Sequence, residues 1–225
     1  MKLFIIRHGD PDYAHDTLTE RGVKEAELLK DRLLRDNISK VYCSPCGRAQ
    51  ETARPFLEAT GLPCTTYDFL QEFCVPVVEN GKETCAWCIS SDTYVKSKTQ
   101  FEDREDWFNN EIYERHNLIE HAKNVWKGFD GLLAENGYVK NGHFYDIKEG
   151  ADTEQNIAIF CHEGLGLLLL SYLANVPASQ MWHYFKIQPT GVTTVLFRGD
   201  TRSRAQIYGI GDLTHLATME LLYKS

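Results

Sequence analysis

The chain has 225 residues, 43% hydrophobic and 25% charged, with 7 Pro and 16 Gly. Those proportions exclude a disordered, collagen-like or low-complexity protein, and at this length roughly 70–75% of the unfolded surface can be buried without disulfides or a metal. Twenty-four Lys+Arg against 32 Asp+Glu give a net charge of −8 with no run of five basic residues, a field that repels a phosphate polymer and argues against a nucleic-acid partner.

In chain order, residues 2–6 form a short apolar strand that stops at Arg7-His8-Gly9-Asp10-Pro11. A helix follows to about Asn37, with Thr19 as N-cap, Leu18 and Val23 as its staple, and Val23, Ala26, Leu29 and Leu33 at helical spacing. Residues 40–43 are a second strand. The next helix carries Ala49, Ala53, Phe56 and Leu57 on its apolar face and stops at Gly61, before a third strand at 65–67. This βαβα(β) order predicts a three-layer α/β/α fold with a mainly parallel central sheet. From about 73 to 155 the alternation lapses, and this stretch is read as an inserted cap within one domain spanning the chain. It holds a long amphipathic helix predicted over about 105–136 and a hairpin turning at Asn141-Gly142. The core resumes with an apolar strand at 156–161, a Leu-rich helix over about 165–174, and strands at 193–197 and 205–208.

Residues 1–6 are too short for a secretory apolar segment, and the longest apolar stretch, around 165–170, is far below the ~20 residues of a membrane span. Seven cysteines, an odd number, then read as reduced thiols in a cytoplasmic protein, most of them small core residues.

Ligands of open α/β sheets bind beyond the carboxyl ends of the parallel strands, where helix N-termini also point free N–H groups. His8 follows the first strand and His162 follows the 156–161 strand. Arg7 neighbours the first, and Arg48 lies in the first turn of the helix after residues 40–43. A cation there is opposed by the helix dipole by roughly 0.3–1 kcal/mol, so an anion is expected between Arg48 and the helix end.

Four pieces carry a family resemblance: Arg7-His8-Gly9 after a strand; Leu18-Thr19-Glu20-Arg21-Gly22 opening a helix; Ser44-Pro45-Cys46-Gly47-Arg48-Ala49 with Thr52-Ala53; and Cys161-His162-Glu163-Gly164. In this order and setting the chain resembles the histidine phosphatase superfamily, also called phosphoglycerate-mutase-like, over about 1–72 and 156–225. The resemblance implies a metal-independent phosphomonoesterase with no cofactor, acting on a small phosphorylated metabolite. His8 would be the nucleophile that forms a phosphohistidine, with Arg7, Arg48 and His162 on the phosphoryl oxygens. Glu72, after the third strand, would be the general acid and then the base. Arginine's planar fork suits a phosphoryl group whose charge spreads over three oxygens, and neutral imidazole suits an attacking nitrogen.

The chain departs from the family at Ala14, where many members have Asn, at Glu51 for a common Gln, and at Glu163 for a common Gly. Two further readings stay open: a phosphoglycerate-type mutase, disfavoured by the short segment between Asp10 and Leu18, and a phosphate-binding relative without turnover. Cys85-Ala86-Trp87-Cys88 suggests a redox pair or half a zinc site with His116 or His121, but residues five apart on a helix do not share a face. Packed cap cysteines are the simpler expectation.

Overall fold

The computed structural model describes residues 1–97, 101–103 and 106–217. Apart from a short ribbon of β2 (Pro11–Asp12) and β3 (Thr17–Leu18), its central sheet has the strand order β5-β4-β10-β1-β11-β12-β9-β8. Four neighbouring strands are parallel: β5 (Cys64–Thr66), β4 (Lys40–Cys43), β10 (Asn156–Cys161) and β1 (Lys2–Arg7). The other half is antiparallel: β11 (Val192–Arg198), β12 (Arg202–Asp212), β9 (Phe144–Ile147) and β8 (Tyr138–Asn141).

Alternation along β1 divides the core. Phe4 and Ile6 pack with Leu29, Leu33, Ala49, Ala53 and Phe56 of α1 (Glu20–Leu33) and α2 (Gly47–Thr60) on one face. Leu3 and Ile5 face the other side, with Phe129, Leu132 and Leu133 of the Leu118–Glu135 helix and Leu165–Leu170 of the Glu163–Ala174 helix. The α/β/α layering thus follows from which neighbours in each strand are apolar. The Glu163–Ala174 helix is buried almost all round, which accounts for its Leu-rich sequence.

Several expectations are corrected. Thr19 caps α1 through its hydroxyl, which accepts from the Gly22 amide, but Val23 is 43% exposed. The buried stripe is instead Gly22, Glu25, Ala26, Leu29 and Leu33. The long helix predicted over 105–136 is two pieces: α4 (Glu111–Glu114) and α5 (Leu118–Glu135). They are separated by Asn117 in the left-handed region, which cannot continue a helix. The predicted start at Glu105 lies outside the described residues. For numbering, α3 is Ser91–Lys96, and α6 and α7 are Glu163–Ala174 and Ala178–Tyr184. The predicted hairpin forms, with its loop one residue later: Asn141 pairs with Phe144, so Gly142 and His143 make the turn and Gly142 takes φ +60°.

The cysteines differ most. Cys74 and Cys85 form a disulfide, because the hairpin of β6 (Pro76–Glu79) and β7 (Lys82–Cys85) pairs Pro76 with Cys85 and brings Cys74 beside it. Residue spacing alone does not reveal that pairing. Cys43 and Cys161 are buried thiols, Cys46 and Cys64 are half-buried, and Cys88 is exposed. Among the described residues no helix is long and apolar enough to cross a membrane.

Two motif glycines owe their identity to a close backbone approach. A Cβ on Gly22 would come within 2.2 Å of the Asp10 carbonyl oxygen, and one on Gly9 within 2.9 Å of the Gly22 carbonyl oxygen. Gly131, by contrast, faces open space inside α5. Gly22→Ala should therefore lower stability by roughly 1–3 kcal/mol, while Gly131→Ala should raise it by about 0.5–1 kcal/mol, both read from urea unfolding midpoints.

Candidate active site

The register of the parallel strands sets the rim. Arg7 pairs with Cys161, and Cys43 with Phe160, so His8 and His162 leave the sheet side by side, with Ser44 one residue behind them, level with Cys161. The His8 amide donates to the Cys161 carbonyl at 3.0 Å and the Ser44 amide to the Phe160 carbonyl at 2.9 Å. The imidazole centroids of His8 and His162 lie 5.2 Å apart, and both side chains are buried. The N-termini of α2 and α6 open on this rim and give it anion-attracting character.

Partners fix the ring tautomers. Nδ1 of His8 lies 2.8 Å from the Gly9 carbonyl oxygen, which can only accept. Nδ1 therefore carries the proton and Nε2 holds the lone pair. The Gly9 amide donates to Thr52 Oγ1 at 2.9 Å, whose hydroxyl donates to the Arg48 carbonyl at 2.7 Å, tying this loop to α2. His162 is the reverse case. Arg48 Nη2, which can only donate, lies 3.1 Å from Nδ1, so Nε2 carries the proton and donates to Ser44 Oγ at 2.8 Å.

Burial, with the cations Arg7 and Arg48 adding to it, pushes the His8 pKa down to about 4, although the bond to Gly9 opposes the shift. Burial and then Arg48 push that of His162 down to about 2. Both rings are neutral at neutral pH, as a nitrogen nucleophile requires.

Each arginine has a carboxylate partner. Arg7 Nη1 bonds Glu163 Oε2 at 2.8 Å and the Ile187 carbonyl. Arg48 Nη1 bonds Asp16 Oδ1, while Asp16 Oδ2 accepts from the Gly47 amide at 2.6 Å. The anion expected between Arg48 and the helix end is thus supplied by the chain itself. The Nε atoms of Arg7 and Arg48 are buried without a hydrogen-bond partner. Tyr13, 67% exposed, sets its ring edge-on to His8 at 6.4 Å and under the Arg48 guanidinium at 5.5 Å.

Glu72 joins the same rim. Its Oε1 accepts from the amides of Phe73 and Leu165, both at 2.8 Å, and its Oε2 from that of Gly164 at 3.3 Å. These bonds favour the carboxylate, but burial outweighs them and raises its pKa above the ordinary range. Leu70 and Phe73 supply the buried apolar surroundings.

All five sequence-predicted residues, Arg7, His8, Arg48, Glu72 and His162, therefore meet at one rim. Asp16, Ser44, Thr52, Glu163 and Tyr13 were not assigned positioning or rim roles from sequence. Ser44 and Thr52 stood inside the quoted motif, whereas nothing local marked Asp16 as the counter-charge of Arg48. Of the departures, Glu51 fixes the loop before α1, accepting from the Leu18 amide at 3.0 Å and from the Thr17 hydroxyl. Ala14 is exposed. Among the described residues, no group of three or more His, Cys, Asp or Glu could hold a metal ion.

The family model described as "Histidine phosphatase superfamily (branch 1)" matches residues 3–208. The chain belongs to the histidine phosphatase superfamily. It is 25% identical over 203 residues to the adenosylcobalamin/alpha-ribazole phosphatase of Salmonella typhimurium, covering 82% of this chain and 85% of that protein. Its fold is similar to that of a phosphoserine phosphatase mutant from Entamoeba histolytica, with a TM-score of 0.61 at 18% identity, covering 96% of this chain and 98% of the other. It is also similar to a mycobacterial glucosyl-3-phosphoglycerate phosphatase, with a TM-score of 0.61 at 19% identity, covering 92% and 96%.

The depressed histidine pKa values give stability a pH dependence of defined sign. Between about pH 4 and 6.5 the unfolded chain binds protons at His8 and His162 that the folded chain excludes. Their contribution is complete above pH 6.5 and is lost as pH falls, by up to about 1.4 kcal/mol per pH unit for each. The urea midpoint should drop from pH 7 to pH 5, and drop less in His8→Asn.

Proposed function

We infer that this chain is a phosphomonoesterase that hydrolyses a small phosphorylated metabolite through a phosphohistidine at His8. The observation that carries the reading is the state of His8: neutral, with Nδ1–H spent on the Gly9 carbonyl and the Nε2 lone pair left free beside two arginines whose Nε donors have no partner.

Arg7 and Arg48 bind the phosphoryl oxygens, and their fixed charge meets the charge that spreads over those oxygens in the transition state. His162, locked between Arg48 and Ser44, adds an imidazole to the same wall. The His8 Nε2 lone pair forms the N–P bond as the ester P–O bond breaks, and the departing alkoxide takes the Glu72 proton. Water then attacks phosphorus and gives its proton to the Glu72 carboxylate, which releases phosphate and restores both residues. The raised pKa of Glu72 suits a group that must be an acid in one half-reaction and a base in the other.

Ala14 and Glu163 motivate the alternative of a binding protein without turnover, but four cationic or imidazole groups still surround the phosphate position. The mutase alternative gains little from the loop before α1, where Pro11–Asp12 pairs directly with Thr17–Leu18. Only the first part of the 73–155 region, next to Glu72, adjoins the rim and can help select the substrate, because Leu118–Glu135 belongs to a helical layer of the core and residues 138–147 extend the central sheet.

His8→Ala should abolish turnover of p-nitrophenyl phosphate and the acid-trapped phosphoenzyme, and undiminished turnover would refute the assignment. Glu72→Gln should separate leaving groups. Hydrolysis of an alkyl phosphate such as glycerol 3-phosphate should fall about 100-fold or more, with a much smaller loss on p-nitrophenyl phosphate, whose phenolate leaves without a proton. Equal losses on both, measured as kcat/KM, which reports formation of the phosphohistidine and not its hydrolysis, would remove Glu72 as the acid.

A further inference from the structure

Glu163 is buried at 3% exposure, and its carboxylate serves more than Arg7. Oε2 accepts from Arg7 Nη1 at 2.8 Å and from Lys186 Nζ at 3.2 Å, while Oε1 accepts from the Ile187 amide at 3.3 Å. The two cations differ in setting. Arg7 lies on the inner side with its side chain 10% exposed, whereas that of Lys186 is 64% exposed on the open side of the same carboxylate. Glu163 thus holds an ammonium group at the mouth of the phosphate site, one carboxylate oxygen away from a phosphate-binding arginine.

The local charge balance leaves this ammonium available. Arg48 is matched by Asp16, but Arg7 and Lys186 share one carboxylate. Lys186 uses one of its three N–H donors on Glu163, and an ion pair this exposed contributes little, so a ligand can recruit the group at small cost. Lys186 also stands at the general-acid end of the site: Glu72 is held by the amides of Gly164 and Leu165, the two residues that follow Glu163 in the first turn of α6.

We propose that Lys186, positioned by Glu163, is a specificity residue that binds an anionic group on the leaving-group side of the substrate. The preferred substrates are then phosphomonoesters whose alcohol portion carries a second negative charge, a carboxylate or a second phosphate. This rests on the phosphomonoesterase reading and deepens it. A lysine suits the task because a compact point charge on a flexible stem accepts either anion, whereas the planar arginines are committed to the phosphoryl group.

Matched substrate pairs test it: 3-phosphoglycerate against glycerol 3-phosphate, and O-phosphoserine against O-phosphoethanolamine, each pair differing by the carboxylate. Fructose 1,6-bisphosphate against fructose 6-phosphate provides the second-phosphate arm. The wild-type chain should favour the doubly anionic member of at least one arm by about tenfold or more in kcat/KM. That preference should collapse in Lys186→Gln and persist in Lys186→Arg, with both variants melting like the wild type. The arm that shows the effect identifies the anion. A wild-type preference below threefold in every pair, or one that survives in Lys186→Gln, overturns the proposal while leaving hydrolysis of p-nitrophenyl phosphate intact. Absence of p-nitrophenyl phosphate hydrolysis as well would overturn the phosphomonoesterase reading itself.

Discussion

The register of three parallel strands is the constraint on which the site depends. Because β1, β10 and β4 pair in the registers Arg7 with Cys161 and Cys43 with Phe160, their carboxyl ends deliver His8 and His162 to one line, with Ser44 one residue behind. A register slip of one residue would turn every side chain of a strand to the opposite face and exchange the apolar sets packed on the two helical layers. The hydrophobic alternation that holds Leu3 and Ile5 against one layer, and Phe4 and Ile6 against the other, therefore also fixes the distance between the two imidazoles.

Burial next shapes the electrostatics. Two guanidinium groups and two imidazoles in one enclosed rim cannot all be charged without counter-ions. The imidazoles respond by staying neutral, and the arginines by taking Asp16 and Glu163. Three carboxylates then play three parts set by surroundings. Asp16 clamps Arg48 to the start of α2, and its own pKa is lowered, chiefly by the Gly47 amide and Arg48 acting against burial. Glu163 bridges two cations, and Glu72, deprived of a direct ion pair, has its proton affinity raised by burial.

Much of this was legible in the sequence because it is local. The strand-turn-helix passages around Arg7-His8-Gly9 and Cys161-His162, the Thr19 cap and the βα alternation of the first 70 residues are written in neighbouring side chains. What escaped was long-range or hidden by symmetry of pattern. Asp16 meets Arg48 across 32 positions, and Lys186 meets Glu163 across 23, separations that no periodicity encodes. The broken helix before Leu118 follows from one left-handed asparagine, and the Cys74–Cys85 bond from a hairpin register. Val23 continued the apolar spacing of α1 yet points to solvent, since spacing cannot tell the edge of a stripe from its centre.

The position of β1 carries a consequence for how the molecule comes into being. This strand is made long before its neighbours β10 and β11, so Lys2 waits for Asn156 on one side and for Leu196 on the other. Such non-local pairing slows folding, and a chain still emerging from the ribosome holds His8 behind an unpaired, apolar strand until β10 and β11 have been made. The pocket therefore cannot take shape gradually: residues 156–198 close the sheet around residues 2–7, and the rim is completed by the same event that hides the strand from aggregation.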